Sequence, residues 1–184
     1  MFISKIPNWN KILKLHINRL DGNIYHKLNL IDIGCDINKF NALRLSYNNL
    51  PIDKDYPFKN DKPTRFRRYS NFNLDVVDCD TLVFNQINQN MFNQDVDDFR
   101  NKTRAFTTME KTVINDTFYQ LMGQIVGLTL FSNPSIKKMN ISVHQVRLLS
   151  YPNLTSDNAP EGIHKDGADY IVSALIMNKN KIKN

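Results

Sequence analysis

An α+β fold is what this sequence predicts, on three observations. Ile114, Phe118, Leu121, Met122, Ile125 and Leu128 recur at three- and four-residue spacing, as on one face of a long helix. Ile141 to Leu149 alternates with a period of two: Ile141, Val143, Gln145, Arg147 and Leu149 share one face, and Ser142, His144, Val146 and Leu148 the other. Tyr170 to Met177 is apolar on both faces, the pattern of a central strand covered on both sides. The length of 184 residues predicts a single domain over 1–184, and 41% hydrophobic content is enough for a core.

The remaining elements follow in chain order. Asn8 to Leu20, with Trp9, Ile12, Leu13, Leu15 and Ile17, fits a short packing helix and in part a strand. Asp36 is placed to cap a helix running to Tyr47, with Ile37, Phe40, Leu43 and Leu45 as its apolar positions. Two prolines and three charges make Leu50 to Pro57 a loop. Arg65 to Asp80 is strand material: Arg65, Arg67 and Tyr69 alternate with Phe66 and Arg68, and Phe72, Leu74, Val76 and Val77 follow. Thr81 to Phe99 scatters aromatics among Asn and Gln with no clean period, and no element is assigned there. The long helix spans Asn115 to Phe131. Its Gly123 and Gly127, each costing about 1 kcal/mol in helix propensity, make room for another element to approach closely. Asn133-Pro134 ends it. Tyr151 to Pro160 is a loop rich in Pro, Asn and Ser.

Composition narrows the function classes. The net charge of +6 and pI near 9.3 would permit contact with nucleic acid. The positive charge is scattered, however. Its tight cluster, Arg65-Phe66-Arg67-Arg68, is spread by strand geometry over two faces, so no nucleic-acid partner is predicted. No apolar stretch approaches the ~20 residues that cross a bilayer, and Met1 to Pro7 lacks the features of a signal peptide. Cys35 and Cys79 form no CxxC pair and suggest reduced, buried thiols in a cytoplasmic protein. The glycosylation sequons at Asn140 and Asn153 are discounted in an Asn-rich chain of this kind.

The segment Pro160-Glu161-Gly162-Ile163-His164-Lys165-Asp166-Gly167 carries the chemistry. In an extended backbone residues two apart point to the same side. His164 and Asp166 can therefore present an imidazole and a carboxylate to one metal ion. Those are two of the three donors in the 2-His-1-carboxylate facial triad of non-haem Fe(II) oxygenases. No His follows His164. His144 is the nearest remaining imidazole, and its expected role is a hydrogen-bonded histidine beside the core. Glu161 is placed to orient His164 or to sit in solvent.

With its loop and flanking strands, the whole stretch from Val143 to Asn180 resembles the bacterial 2-oxoglutarate/Fe(II) dioxygenase family that includes the free L-isoleucine 4-hydroxylases. Leu43-Arg44-Leu45-Ser46-Tyr47-Asn48-Asn49-Leu50-Pro51-Ile52-Asp53-Lys54-Asp55-Tyr56 and Arg65-Phe66-Arg67-Arg68-Tyr69 look like that family's N-terminal half, so the likeness covers roughly residues 40–180. It implies a double-stranded β-helix (jelly-roll) core with flanking helices, Fe(II) held by His164 and Asp166, and 2-oxoglutarate as cosubstrate. It also implies hydroxylation of a free amino acid or similar small molecule. The family's distal His and late basic anchor have no counterpart in residues 167–184. A partial domain is therefore expected, C-terminally truncated and lacking later core strands, with an exposed edge that would favour self-association. A catalytically inactive relative is the alternative. Gln145 and Arg147 are the candidate cosubstrate-binding residues, Arg147 because it could hold a carboxylate. No catalytic residue beyond the metal ligands is assigned.

Overall fold

The structure, a computed structural model, describes residues 1–5, 29, 31, 36–56, 58–78, 81–88, 90–92, 103–156 and 167–174. Its centre is β2, Arg65–Val76, whose alternating side chains suit a strand with two different faces. The hairpin after it leads into β3, Thr81–Ile87, with Leu74 opposite Phe84 and Val76 opposite Leu82. On the other side lies β6, Lys138–Leu148, antiparallel to β2 from Arg65↔Leu148 to Asp75↔Lys138. A short β1, Phe2–Lys5, adds to β3, so the sheet order is β1-β3-β2-β6. A separate two-stranded ladder joins β4, Met91–Phe92, to β5, Arg104–Ala105.

Helix α2, Asp116–Ser132, covers one face of the sheet. Asn115 caps it by accepting from the Phe118 amide at 3.1 Å, and Asp116 in the first turn suits the positive end of the helix dipole. Phe118, Met122 and Val126 pack onto Phe72, Leu74, Leu82 and Phe84, with Met109 and Val113 closing the same core. Gly123 approaches β1 so closely that a Cβ there would lie 2.8 Å from Ser4 Oγ. This is the close approach expected at Gly123. The buried arc includes Val126, while Ile125 and Leu128 are half-buried. The helix is apolar around much of its circumference, so spacing fixed its inner face only loosely.

Before β2, Asp36 accepts from the Asn38 amide at 3.0 Å and starts a 3-10 turn, Ile37–Phe40. Helix α1, Asn41–Ser46, and a second 3-10 turn, Tyr47–Asn49, continue it. The expected helix from Asp36 to Tyr47 is thus built of three short pieces. The expectation for Asn8 to Leu20 lies outside the described residues, as do the two cysteines.

Tyr170 to Met177 is a correction. Of its described part, Tyr170, Ile171 and Val172 are 44%, 62% and 59% exposed, and residues 170–174 belong to no strand. It is not a doubly covered central strand among the described residues. An apolar run records a preference for burial but does not name the neighbours that would provide it. The contact found there is Asn133 Nδ2 donating to the Tyr170 hydroxyl at 3.4 Å.

Candidate active-site face of the sheet

The β2–β6 register sorts side chains into two sets. Paired residues of antiparallel strands share a face. Phe66, Arg68, Ser70 and Phe72 lie with Arg147, Gln145, Val143 and Ile141 on the side covered by the helices. Arg65, Arg67, Tyr69 and Asn71 lie with Leu148, Val146, His144 and Ser142 on the other.

Backbone pairing holds the second set rigidly. Beside β6, the other edge of residues 65–69 is tied by Asp53 N to Arg65 O at 3.0 Å, Arg67 N to Pro51 O at 2.9 Å and Tyr69 N to Thr107 O at 3.0 Å. The same tie brings β4 and β5 over this face. Phe92 and Phe106 then lie against Tyr69 at ring distances of 5.5 and 6.0 Å.

Arg67 is the centre of the face and is only 7% exposed. Its Cζ lies 4.4 Å from the centre of the Phe106 ring and 5.7 Å from that of Phe92, so aromatic faces hold the planar group. Its Nε donates to His144 Nδ1 at 3.2 Å, and Nη2 contacts the same nitrogen. Burial, then the Arg65 charge, brings the Arg67 guanidinium down to about 10. Burial, then the charges of Arg67, Arg65 and Arg104, pushes His144 down to about 3. His144 is therefore a neutral acceptor at any ordinary pH. Arg65 faces Asp53 at 3.4 Å, and Arg104 lies 5.4 Å over the Phe92 ring.

Beyond Tyr69 the same face opens into a cavity of about 420 Å³, lined by Asn71, Asn73, Met91, Phe92, Asn140 and Ser142 among others. A polar knot marks its wall. The Tyr69 hydroxyl donates to Asn71 Oδ1 at 2.6 Å, and Ser142 Oγ donates to the same oxygen at 2.9 Å.

Residues 44–183 match the model of the 2OG-Fe dioxygenase family. The chain belongs to this family. No curated protein matches it. Among solved structures, a bsmA homolog from Methylobium petroleophilum PM1 is similar, with a TM-score of 0.59 and 18% identity over 74% of this chain and 54% of that one. At that identity the likeness is one of fold, and the chain spans about half the length of that neighbour.

The 2OG-Fe dioxygenase family uses Fe(II) and 2-oxoglutarate. Among the described residues, no group of three or more His, Cys, Asp or Glu gathers to hold a metal. His164, Asp166 and Glu161 lie outside the described residues. The pair at 164 and 166 has the right donor chemistry for Fe(II), an imidazole and a carboxylate. His144 does not fit as a further donor where it stands. Its Nδ1 lone pair accepts from Arg67, and turning Nε2 into a metal donor would set an Nδ1–H against the guanidinium.

Gln145 and Arg147 occupy the helix side. Gln145 is 1% exposed and donates from Nε2 to Ser46 Oγ at 2.9 Å. Arg147 donates to the Asn48 carbonyl at 3.1 Å, with its guanidinium 4.7 Å over Phe66. Both brace α1 and its following turn against the sheet. The basic cluster splits as strand geometry requires: Arg68 turns away from Arg65 and Arg67 to Thr108 O at 2.8 Å and Glu110 at 2.9 Å. In the sequence Arg67 and Tyr69 stand out only as members of a basic cluster and of the family-like segment. The signal was there in the two-residue spacing of Arg65, Arg67 and Tyr69, but their partners Phe92, Phe106 and His144 come from distant segments.

Proposed function

We propose that this chain carries out Fe(II)- and 2-oxoglutarate-dependent hydroxylation of a free amino acid or similar small molecule, with His164 and Asp166 as iron ligands. The observation that supports this reading is the family match over residues 44–183, which takes in both the β2–β6 face and the His164–Asp166 segment. In this reading β2, β3 and β6 form the helix-flanked side of a double-stranded β-helix, and the face bearing Tyr69 and His144 looks inward. Fe(II) held by His164 and Asp166 would activate dioxygen with 2-oxoglutarate as the two-electron donor, one oxygen atom entering succinate as CO2 leaves and the other entering an unactivated C–H bond of the substrate. The chain's own residues bind and orient. His164 and Asp166 offer donors from one short segment, and a further donor completes the set. The cavity of about 420 Å³ is of small-molecule size. Its Tyr69–Asn71–Ser142 knot fixes hydroxyl and amide groups at the wall. The alternative, an inactive relative, draws no support from a match that runs on through Asp166.

Anaerobic titration of the purified chain with Fe(II) and 2-oxoglutarate, followed by visible absorption, tests the site. A metal-to-keto-acid charge-transfer band is expected, and it should vanish in His164→Ala and in Asp166→Ala. Unchanged iron affinity in both variants would sink the ligand assignment. Succinate release across a panel of free amino acids then tests the substrate class.

A further inference from the structure

We propose that Asn71, with Asn73 and Asn140 beside it, hydrogen-bonds an uncharged carboxamide of the substrate in the cavity beyond Tyr69. This rests on the dioxygenase reading for the reaction and names a class of substrate for it.

Strand register brings the amides together. Asn73 on β2 lies opposite Asn140 on β6 and opposite Asn85 on β3, so side-chain amides form a row across three strands. Two residues along β2 and on the same face, Asn71 lies between Ser142 and Ile87. Asn71, Asn73, Asn140, Ser142 and Ile87 all line the cavity. An Asn-rich chain supplies amides anywhere, but Asn71 is held in one orientation. The hydroxyls of Tyr69 and Ser142 both donate to its Oδ1, at 2.6 and 2.9 Å, and lie 3.2 Å from each other. Both acceptor positions of that oxygen are thereby used, which leaves Nδ2 to present its N–H groups elsewhere. Among the described residues nothing accepts from Asn71 Nδ2, and the exposed amides of Asn73 and Asn140 meet no side-chain partner.

The chemistry of the wall selects the occupant. Among the described residues that line the cavity none is Asp, Glu, Lys, Arg or His. A charged group seated there would give up water without gaining a counter-charge. A hydrocarbon group would cover the Asn71 donors and leave them unpaired. A carboxamide carries an acceptor for Asn71 Nδ2, and its own N–H groups suit the carbonyl oxygens of Asn73 and Asn140. Ile87, Met91 and Phe92 offer apolar surface to the carbon chain that bears it. Asn71 is thus a specificity-determining residue, and Tyr69 and Ser142 position it.

The test uses the full chain freed of metal with a chelator, so that it reads recognition and not turnover. Thermal unfolding is followed with L-asparagine, L-aspartate and L-leucine, free amino acids of similar shape whose side chains end in amide, carboxylate and hydrocarbon. L-glutamine and L-methionine form a longer pair. An amide probe should raise the Tm at about 10-fold lower concentration than its charged and hydrocarbon counterparts, as for one or two neutral hydrogen bonds. Asn71→Leu should abolish that preference or turn it towards L-leucine. If Asn71→Leu fails to fold, Asn73→Ala combined with Asn140→Ala changes only exposed positions and should reduce the preference. The preference is a ratio taken within one protein, so a general loss of stability does not imitate its disappearance.

Equal responses to all probes, a preference of the parent chain for L-aspartate or L-leucine, or no response to any probe overturns the proposal. So does an amide preference that survives in both the Asn71 and the Asn73/Asn140 variants. An amide preference beside a missing Fe(II)/2-oxoglutarate absorption band would overturn the dioxygenase reading alone. The band without an amide preference would overturn the carboxamide assignment alone.

Discussion

His144 shows how one side chain can be set by its surroundings. Burial and the neighbouring guanidiniums hold its folded value at about 3, against 6.5 for the free imidazole. Between these two values the unfolded chain takes up a proton that the folded chain refuses, so stability rises with pH through the window and is lost as pH falls from about 6.5 towards 3. Urea unfolding of the parent and of His144→Gln on either side of about pH 6 should show the parent losing more stability on acidification. Nuclear magnetic resonance of the folded protein should show no titration of this imidazole near neutrality. A normal titration curve would mean that the Arg67 contact does not persist in solution. The facing of His144 away from Gln145 and Arg147 was legible from alternation alone. Its partner was not, because Arg67 lies 77 residues away and only the strand register joins them. Gln145 and Arg147 were legible as polar groups needing partners, but both faces of β6 carry polar groups, so the alternation could not say which face holds the cavity.

At the level of elements, the contact of α2 with β1 turns on Gly123. Gly123→Ala would gain about 1 kcal/mol in helix propensity. It would also drive a Cβ to within 2.8 Å of Ser4 Oγ, and overpacking of this kind costs about 1–3 kcal/mol. A net loss of up to about 2 kcal/mol is expected by urea denaturation. In a Ser4→Ala background the nearest remaining neighbour is the residue-4 Cβ at 3.7 Å, so the same change should become neutral or stabilising. A loss of equal size in both backgrounds would exclude this contact as the cause. The helix was legible because its 17 residues carry a repeating apolar stripe and Asn133-Pro134 follows them. Strand β1 was not, since four residues hold too little period to read, and its place is fixed by Phe84, Val83, Leu82 and Thr81 across the ladder. The run after Asp169 failed for the opposite reason: strong apolar character with no neighbour that local sequence could name.

Across the whole molecule, the two sides of one sheet carry different sets of side chains. Phe72, Leu74, Leu82 and Phe84 are at most 1% exposed beneath α2, while Arg65, Arg67 and the cavity lie on the reverse. Phe72→Ala should cost about 3–5 kcal/mol of unfolding free energy by urea denaturation. The α+β class was readable because its longest helix and two longest strands have clean periods. The assembly of the face was not, since it needs segments near residues 53, 67, 106 and 144 to meet. Strand β2 serves both sides at once, residue by residue, and that has a consequence for how the gene can vary. Point changes at Arg67 or Arg68 each alter one side. Deletion of either codon would shift everything upstream by one residue and carry it across the sheet, putting Arg65 towards the helices and Phe66 towards the opposite face. Over these few codons, inheritance can tolerate spelling changes but not a shift in spacing.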